Sequence, residues 1–388
     1  MSVADILAAA ALIAWLYLVL LHGRFWLTGE REEAYRSSAD GMPGAWPAVV
    51  AVVPARNEAE MLPRSLASLA AQSYPGEFSI VLVDDQSSDG TADIARRLAE
   101  TAGRKITVVS GRPLPPEWTG KVWAMEQGIA AACAGERPPH YLLLTDADIG
   151  YEPGALASLV ARASSERRVL TSVMAKLNCE SFAERALIPA FVFFFKMLYP
   201  FGWVNQRNTA TAAAAGGCML VDREALERAG GIQSIRGALI DDCTLAKVMK
   251  AQGAIWLGMS ERVLSLRPYP KVEDIRCMVA RSAYAQLRYA PLLLLGTVFG
   301  MSFLYLMPPV LILTASSPAC LFAAAAYGLM ALSFQPTLRF YHRSRLWGLA
   351  LPLIAAVYLG FTLDSAYQHG AGRGGLWKGR VQAQAGKQ

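Results

Sequence analysis

Phe78-Ser79-Ile80-Val81-Leu82-Val83-Asp84-Asp85-Gln86-Ser87-Ser88-Asp89-Gly90-Thr91 is the stretch on which the reading of this chain turns. An apolar run of strand length ends in two carboxylates and then meets an Asp-Gly turn signal. A buried strand ending this way carries Asp84 and Asp85 to the carboxyl edge of a sheet, the edge at which open α/β sheets bind ligands. Tyr141-Leu142-Leu143-Leu144-Thr145, followed by Asp146-Ala147-Asp148, repeats the arrangement. Two carboxylate clusters at neighbouring strand ends suit a metal-bound nucleoside diphosphate.

Outward from these runs the pattern alternates. Strands are expected at 48–54, 78–84, 105–110 and 141–146, with helices at 59–72, 91–101 and 121–134. Such alternation predicts an α/β domain with a parallel sheet and crossover helices. Further strands are expected near 169–175 and 218–222, and a helix over 241–252 with Asp241 and Asp242 in its first turn. Residues 188–203 are aromatic-rich, broken by Pro189 and Pro200, and short for a membrane span. They read as a segment lying at the lipid interface, with a buried core helix as the alternative. Residues 273–289 read as an amphipathic helix carrying Arg276, Arg281 and Arg288.

The chain has 388 residues, 54% of them hydrophobic, and a positive mean hydropathy, too apolar for an ordinary soluble enzyme. Ile6 to Leu21 is almost wholly apolar and is followed by Arg24, Arg31 and Arg36, which predicts a first membrane segment with the next domain in the cytoplasm. It lacks the basic start and cleavage site of a signal peptide. Gly41 to Pro47 reads as linker. Beyond Pro291 three apolar blocks follow, at 291–314, 318–335 and 347–363, for about four membrane segments in all. Four spans would put the tail outside, whereas Arg373, Lys378, Arg380 and Lys387 favour the inside.

The six cysteines, at 133, 179, 218, 243, 277 and 320, are scattered without a C-x-x-C pair and read as reduced thiols. Four distant histidines argue against a histidine-rich metal site, so carboxylates and ligand phosphates are left to hold Mg²⁺ or Mn²⁺. The net charge of +6 reads as positive flanks of membrane helices, with no polynucleotide groove and hence no nucleic-acid partner expected.

Val53-Pro54-Ala55-Arg56-Asn57-Glu58, the Asp-Asp-x-Ser-x-Asp-Gly-Thr run at 84–91, Gly120-Lys121-x-x-Ala124, Asp146-x-Asp148 and Asp241-Asp242 stand in one order. In that order the chain resembles the inverting family-2 glycosyltransferases over roughly residues 48–290. With its flanking apolar segments and Trp377-Lys378-Gly379-Arg380, it resembles the membrane-bound branch holding hopene-associated and ceramide-type enzymes. The resemblance implies a GT-A-type nucleotide-diphospho-sugar transferase fold with transmembrane helices at both ends. The division expected is an anchor at 1–25, a linker at 26–47, a catalytic domain at 48–272, an interface helix at 273–290, membrane segments at 291–365 and a basic tail at 366–388.

The resemblance also implies roles. Pro54, Arg56 and Glu58 would line the nucleotide pocket, with Glu58 accepting from ribose or base; a capping Asn57 beside a solvated glutamate is the structural alternative. Asp85 would meet the base or ribose, with Asp84 alongside. Residues 87–91 are assigned to shaping the turn, with Asp89 or Ser88 capping the next helix. Lys121, opening a helix, would meet the diphosphate. Residues two apart on a strand share a face, so Asp146 and Asp148 are expected to face one ion, Asp148 as direct ligand. Asp242 is the expected general base, because inversion needs a carboxylate that deprotonates the acceptor; the role of Asp241 stays open. Gly216 and Gly217 are expected where backbone approaches sugar or acceptor.

Processive relatives carry Q-x-x-R-W. Here Ala285-Gln286-Leu287-Arg288-Tyr289 displaces the glutamine, which argues against a polysaccharide synthase but leaves Arg288 available to the diphosphate. The function expected is sugar transfer from a UDP-sugar to a lipid acceptor, for which the resemblance suggests a hopanoid, by a multi-pass enzyme of a bacterial-type plasma membrane. Polyprenyl phosphate, ceramide-like lipid and glycerolipid are the alternative acceptors. A non-enzymatic membrane partner in lipid synthesis is the other class. A dinucleotide-dependent oxidoreductase is disfavoured, since no G-x-G-x-x-G follows the first strand.

Overall fold

The computed structural model describes residues 2–32, 45–377 and 380–381. An eight-stranded sheet forms its centre, in the order β3-β2-β1-β4-β7-β6-β8-β5. The strands are β1 Val49–Ala55, β2 Phe78–Asp84, β3 Ile106–Ser110, β4 Tyr141–Thr145, β5 Ile149–Tyr151, β6 Leu170–Lys176, β7 Cys218–Asp222 and β8 Ile255–Ser265. β1 is parallel to both β2 and β4, while β7 runs antiparallel between β4 and β6. Every residue of β1 is buried. Val50 and Val52 enter one apolar layer and Val49, Ala51 and Val53 the other, as the two-residue strand period requires when both faces are covered.

From β1 the chain steps outward to β2 and β3, then returns to place β4 on the other side of β1. This reversal opens a crevice at the carboxyl ends of β1 and β4, the position at which open α/β sheets take ligands. The Gly120–Ala132 helix covers β1 and β2 very closely. A Cβ at Gly128 would lie 2.4 Å from Val52 Cγ1 and 3.0 Å from Val83 Cγ2.

Among the described residues three helices are long and apolar enough to cross a membrane: Val3–Leu20, Pro291–Thr314 and Ala319–Phe340. The fourth expected block forms a helix, Leu351–Gly370, that is not among them. It carries Asp364, whose carboxylate pairs with Arg276 of the Val272–Ala280 helix, and its Tyr358 hydroxyl donates to the Leu187 carbonyl at 2.8 Å. It is thus tied by polar bonds to Arg276 and Leu187, well before it in the chain.

Other expectations change. Residues 273–289 do not form one helix: Val272–Ala280 ends, a short turn Ala283–Gln286 follows, and Arg288 and Tyr289 both adopt left-handed backbone, φ 52° and 55°. The 188–203 segment belongs largely to a Phe182–Leu198 helix that is core rather than interfacial. Its Phe193 is fully buried and meets Phe25 and Phe334 edge-on, with centroids 5.3 and 5.2 Å apart. Exposed Phe182 and Leu198 stand at its ends. The start of the expected linker is packed: Glu32 is buried and pairs with Arg262. Residues 33–44 lie outside the described residues, as do Lys378 and Gly379 of the tail motif; Leu376–Trp377 pairs with Arg380–Val381 as two short strands.

Candidate active site

A cavity of about 700 Å³ opens at the carboxyl ends of β1 and β4. Pro54 reaches it from the end of β1, Arg56 and Glu58 from the loop after β1, and Asp146 and Asp148 from the turn after β4. Gly216, Gly217, Asp241 and Asp242 line it from the β7 side, and Lys121 projects into it from the start of the Gly120–Ala132 helix. Phe191, Phe195, Met174, Leu177 and Met278 form an apolar wall. The turn at 146–148 is not strand, so the two aspartates do not share a face by strand periodicity; the turn itself presents both to the cavity.

Lys121 Nζ stands 2.8 Å from Asp146 Oδ1 and 3.2 Å from Asp241 Oδ2. Burial would lower the ammonium pKa, but the two carboxylates outweigh burial and raise it above the ordinary lysine value. Burial raises the Asp146 pKa, opposed by Lys121 and reinforced by Asp148. This clamp gives Asp241 a placement that the sequence reading left open.

Asp242 accepts the Gly216 N–H at 3.0 Å on Oδ2 and the Cys243 N–H at 2.7 Å on Oδ1. Burial, then the charge of Asp241, push its carboxyl up to about 6, against the opposing pull of Lys121 and the two N–H donors. A carboxylate with that value is poised to take a proton near neutral pH. Behind it the Tyr199 hydroxyl bonds to the Cys243 sulfur, and Gln286 Nε2 donates to Tyr199 Oη at 2.6 Å. Gln286, the displaced glutamine of the sequence motif, therefore reaches the start of the Asp241–Gln252 helix through one tyrosine.

Asp84, Asp85 and Arg288 are not brought to the cavity lining. Asp84 ends β2 and Asp85 follows it, one strand beyond the crevice. Asp85 is fully buried with its carboxylate 3.8 Å from Arg56 Nη1, and Asp84 Oδ1 is buried without a hydrogen-bond partner. They sit beneath the loop that carries Arg56. The 84–91 turn has the structural part expected of it. Asn57 Oδ1 accepts from Ser88 N at 2.9 Å, Thr91 Oγ1 accepts from Glu58 N at 2.8 Å, and Asp89 accepts from Ala59 N at 3.0 Å. These bonds stitch the two loops together and set Glu58 at the rim. Gly90 takes the cap position of the Thr91–Thr101 helix, and Asp89, one residue before it, accepts the Thr91 N–H on Oδ1 at 3.0 Å.

Arg267 was missed from sequence. It lies just past β8, and its Nε donates to Asp148 Oδ2 at 2.8 Å while Nη2 donates to Glu58 Oε2. The apolar run that marks β2 and β4 is interrupted in β8 by Ser260-Glu261-Arg262, so no local pattern points to a strand end beside Arg267. Among the described residues no group of three or more His, Cys, Asp or Glu side chains converges as a metal cage. Asp146 and Asp148 are hard oxygen donors, and a pair of carboxylates suits Mg²⁺ or Mn²⁺ when nucleotide phosphates and water complete the shell.

Comparisons with known proteins agree with this architecture. Residues 50–230 match the model for Glycosyl transferase family 2. A 98-residue stretch is 35% identical to the 4,4'-diaponeurosporenoate glycosyltransferase of Staphylococcus haemolyticus, covering 25% of this chain and 23% of that protein. Another, of 103 residues, is 29% identical to glycosyltransferase AglE of Haloferax volcanii, covering 26% and 34%. The matches thus span about a quarter to a third of these relatives' length. Among solved structures, the mannosyltransferase PcManGT from Pyrobaculum calidifontis, in complex with GDP-Man and Mn²⁺, superposes with a TM-score of 0.53 at 20% identity. That likeness covers 94% of this chain and 98% of the other, and it bears on fold alone, a GT-A-like α/β fold with a mixed sheet. The chain carries a glycosyltransferase family 2 domain, matched from residue 50 to residue 230.

Proposed function

We propose that this protein is a membrane-anchored, inverting glycosyltransferase that moves a sugar from a nucleoside-diphosphate donor, a UDP-sugar, to the hydroxyl of a lipid, a hopanoid or similar bacterial lipid. One observation carries the reading: a single cavity is lined both by Lys121, Asp146, Asp148 and Asp242 and by an aromatic-apolar wall of Phe191, Phe195, Met174, Leu177 and Met278. The first group suits a charged diphosphate and a proton transfer; the wall suits an apolar acceptor.

Asp242 takes the proton of the acceptor hydroxyl as its oxygen attacks the anomeric carbon. The bond to the diphosphate breaks on the opposite face, and the diphosphate leaves with the electron pair. The N–H groups of Gly216 and Cys243 hold the carboxylate in orientation. Lys121 offers its ammonium to the departing diphosphate and separates Asp146 from Asp241. Asp148, with Asp146, would hold a divalent ion that supplies charge neutralisation at the phosphates.

The three span-length helices support a multi-pass protein of the plasma membrane with its catalytic domain cytoplasmic. Three spans also reconcile the topology, since an outside amino terminus then leaves the basic tail inside. A second reading of the acceptor rests on Arg281. It lines the same cavity with no carboxylate paired to it among the described residues, and so favours an acceptor with an anionic head such as a polyprenyl phosphate.

The test is intact-lipid mass spectrometry of a deletion strain complemented with wild type or Asp242→Asn. A sugar-bearing lipid restored only by wild type supports the reading and identifies donor sugar and acceptor together. Equal restoration by both would sink Asp242 as base and favour a non-enzymatic role.

A further inference from the structure

Glu58, Asp148 and Arg267 come from three separate strand ends and meet on one wall of the cavity. The guanidinium bridges the two carboxylates, with Nε on Asp148 Oδ2 at 2.8 Å and Nη2 on Glu58 Oε2. Its backbone is held on both sides: Leu266 N–H donates to the Asp148 carbonyl at 2.8 Å, and Tyr269 N–H donates to Glu184 Oε1 at 2.7 Å. The Asp148 side chain is therefore paired with the Arg267 guanidinium, while its carbonyl holds the residue just before that arginine. The Arg267 side chain keeps 28% of its surface exposed, so its tip has room to move while its base stays anchored.

We propose that Arg267 is an internal counter-cation that reserves Asp148 in the donor-free protein and releases it to a divalent ion only when a nucleoside diphosphate arrives. This rests on the reading of the cavity as the donor site. A divalent ion entering alone must break the Arg267–Asp148 pair and then stand beside a guanidinium held by Glu58 alone, with like charges at close range. A diphosphate removes both penalties. Its oxygens accept the fork of the guanidinium and complete the oxygen shell of the ion. Metal and nucleotide then each raise the other's affinity, as reciprocal coupling demands. Arg267 acts here as a positioning residue whose place shifts between two acidic partners and the phosphates.

The experiment is a Mn²⁺ titration of the full-length protein in nanodiscs, with free aquo-Mn²⁺ read by electron paramagnetic resonance, alone and with UDP or GDP. In wild type, a nucleotide should tighten Mn²⁺ binding by about tenfold or more, within the usual range of site-to-site coupling. Arg267→Gln should tighten Mn²⁺ binding in the absence of nucleotide by about tenfold and flatten the nucleotide effect. Arg267→Lys retains a charge but cannot span both carboxylates; it should fall between the two and carries the test if the glutamine variant does not fold. Unchanged or weaker Mn²⁺ binding in both variants, with the nucleotide effect intact, would overturn the proposal while leaving the donor site standing. So would nucleotide binding that needs Arg267 and ignores Mn²⁺. Asp148→Asn separates the two failures: if it leaves Mn²⁺ binding unaltered in every state, the donor-site reading falls together with the counter-cation.

Discussion

Gly216 donates its N–H to Asp242 Oδ2 at 3.0 Å, and a Cβ at position 216 would lie 3.4 Å from that oxygen and 3.0 Å from Lys121 Nζ. The absent side chain is what lets backbone, proposed base and ammonium converge. Gly216→Ala should displace the flexible end of Lys121 rather than unfold the chain. A fall of about tenfold in kcat/KM, equivalent to about 1.4 kcal/mol, with little change in Tm, is the expected outcome of kinetics and melting run side by side.

Asp242→Asn should lower kcat by about a hundredfold or more, the scale of lost general-base catalysis. With its pKa raised to about 6, the wild-type carboxylate is protonated and idle below that pH and active above it. The rate should therefore climb through pH 6 to a plateau, and a flat profile would remove Asp242 from the role. Stability runs the other way. The folded carboxyl binds its proton more tightly than the unfolded one, whose value is near 3.8, so this contribution is present at low pH and lost as pH rises through about 6. Asp242→Asn should abolish that part of the pH dependence of Tm.

Lys121→Met would leave Asp146 and Asp241 without their shared cation. Removing one partner of a largely buried cluster destabilises by about 3 kcal/mol, and activity should fall with it. Lys121→Arg, too broad for the space beside Gly216, should recover stability better than activity. Equal recovery of both in calorimetry and kinetics would argue against close placement of this cation.

Gly128→Ala probes the scaffold instead of the chemistry. Its new methyl would press on Val52 and Val83, both in the sheet core, and overpacking of this kind costs about 1–3 kcal/mol. The strain lifts the helix that carries Lys121, so chemical denaturation should show lost stability and donor KM should rise.

Topology reporters distinguish three spans from four. A fusion at Ser316, between the Pro291–Thr314 and Ala319–Phe340 helices, should report the outside, and one at the carboxyl terminus the cytoplasm. A terminal fusion on the outside would mean that Leu351–Gly370 crosses after all.

Local pattern alone determined much of this protein. β2, β7 and the Thr91–Thr101 and Asp241–Gln252 helices lie where hydrophobic runs and turn residues put them, because each is specified by short-range periodicity and by where charge begins. The same logic put Lys121, Asp146, Asp148 and Asp242 at element ends, and the cavity gathers all four. Tertiary structure decided what strand ends alone cannot. Strand order leaves Asp84 and Asp85, at the end of β2, off the cavity lining, and the antiparallel pairing of β5 with the end of β8 brings Arg267 beside Asp148. The partners of Lys121 and Arg267 lie 25 to 209 residues away in sequence, so neither ion-pair cluster has a local signature. Likewise, an apolar helix looks the same in sequence whether lipid or protein covers it; only the fold shows Phe193 buried against Phe25 and Phe334, and Tyr358 bonded to the Leu187 carbonyl.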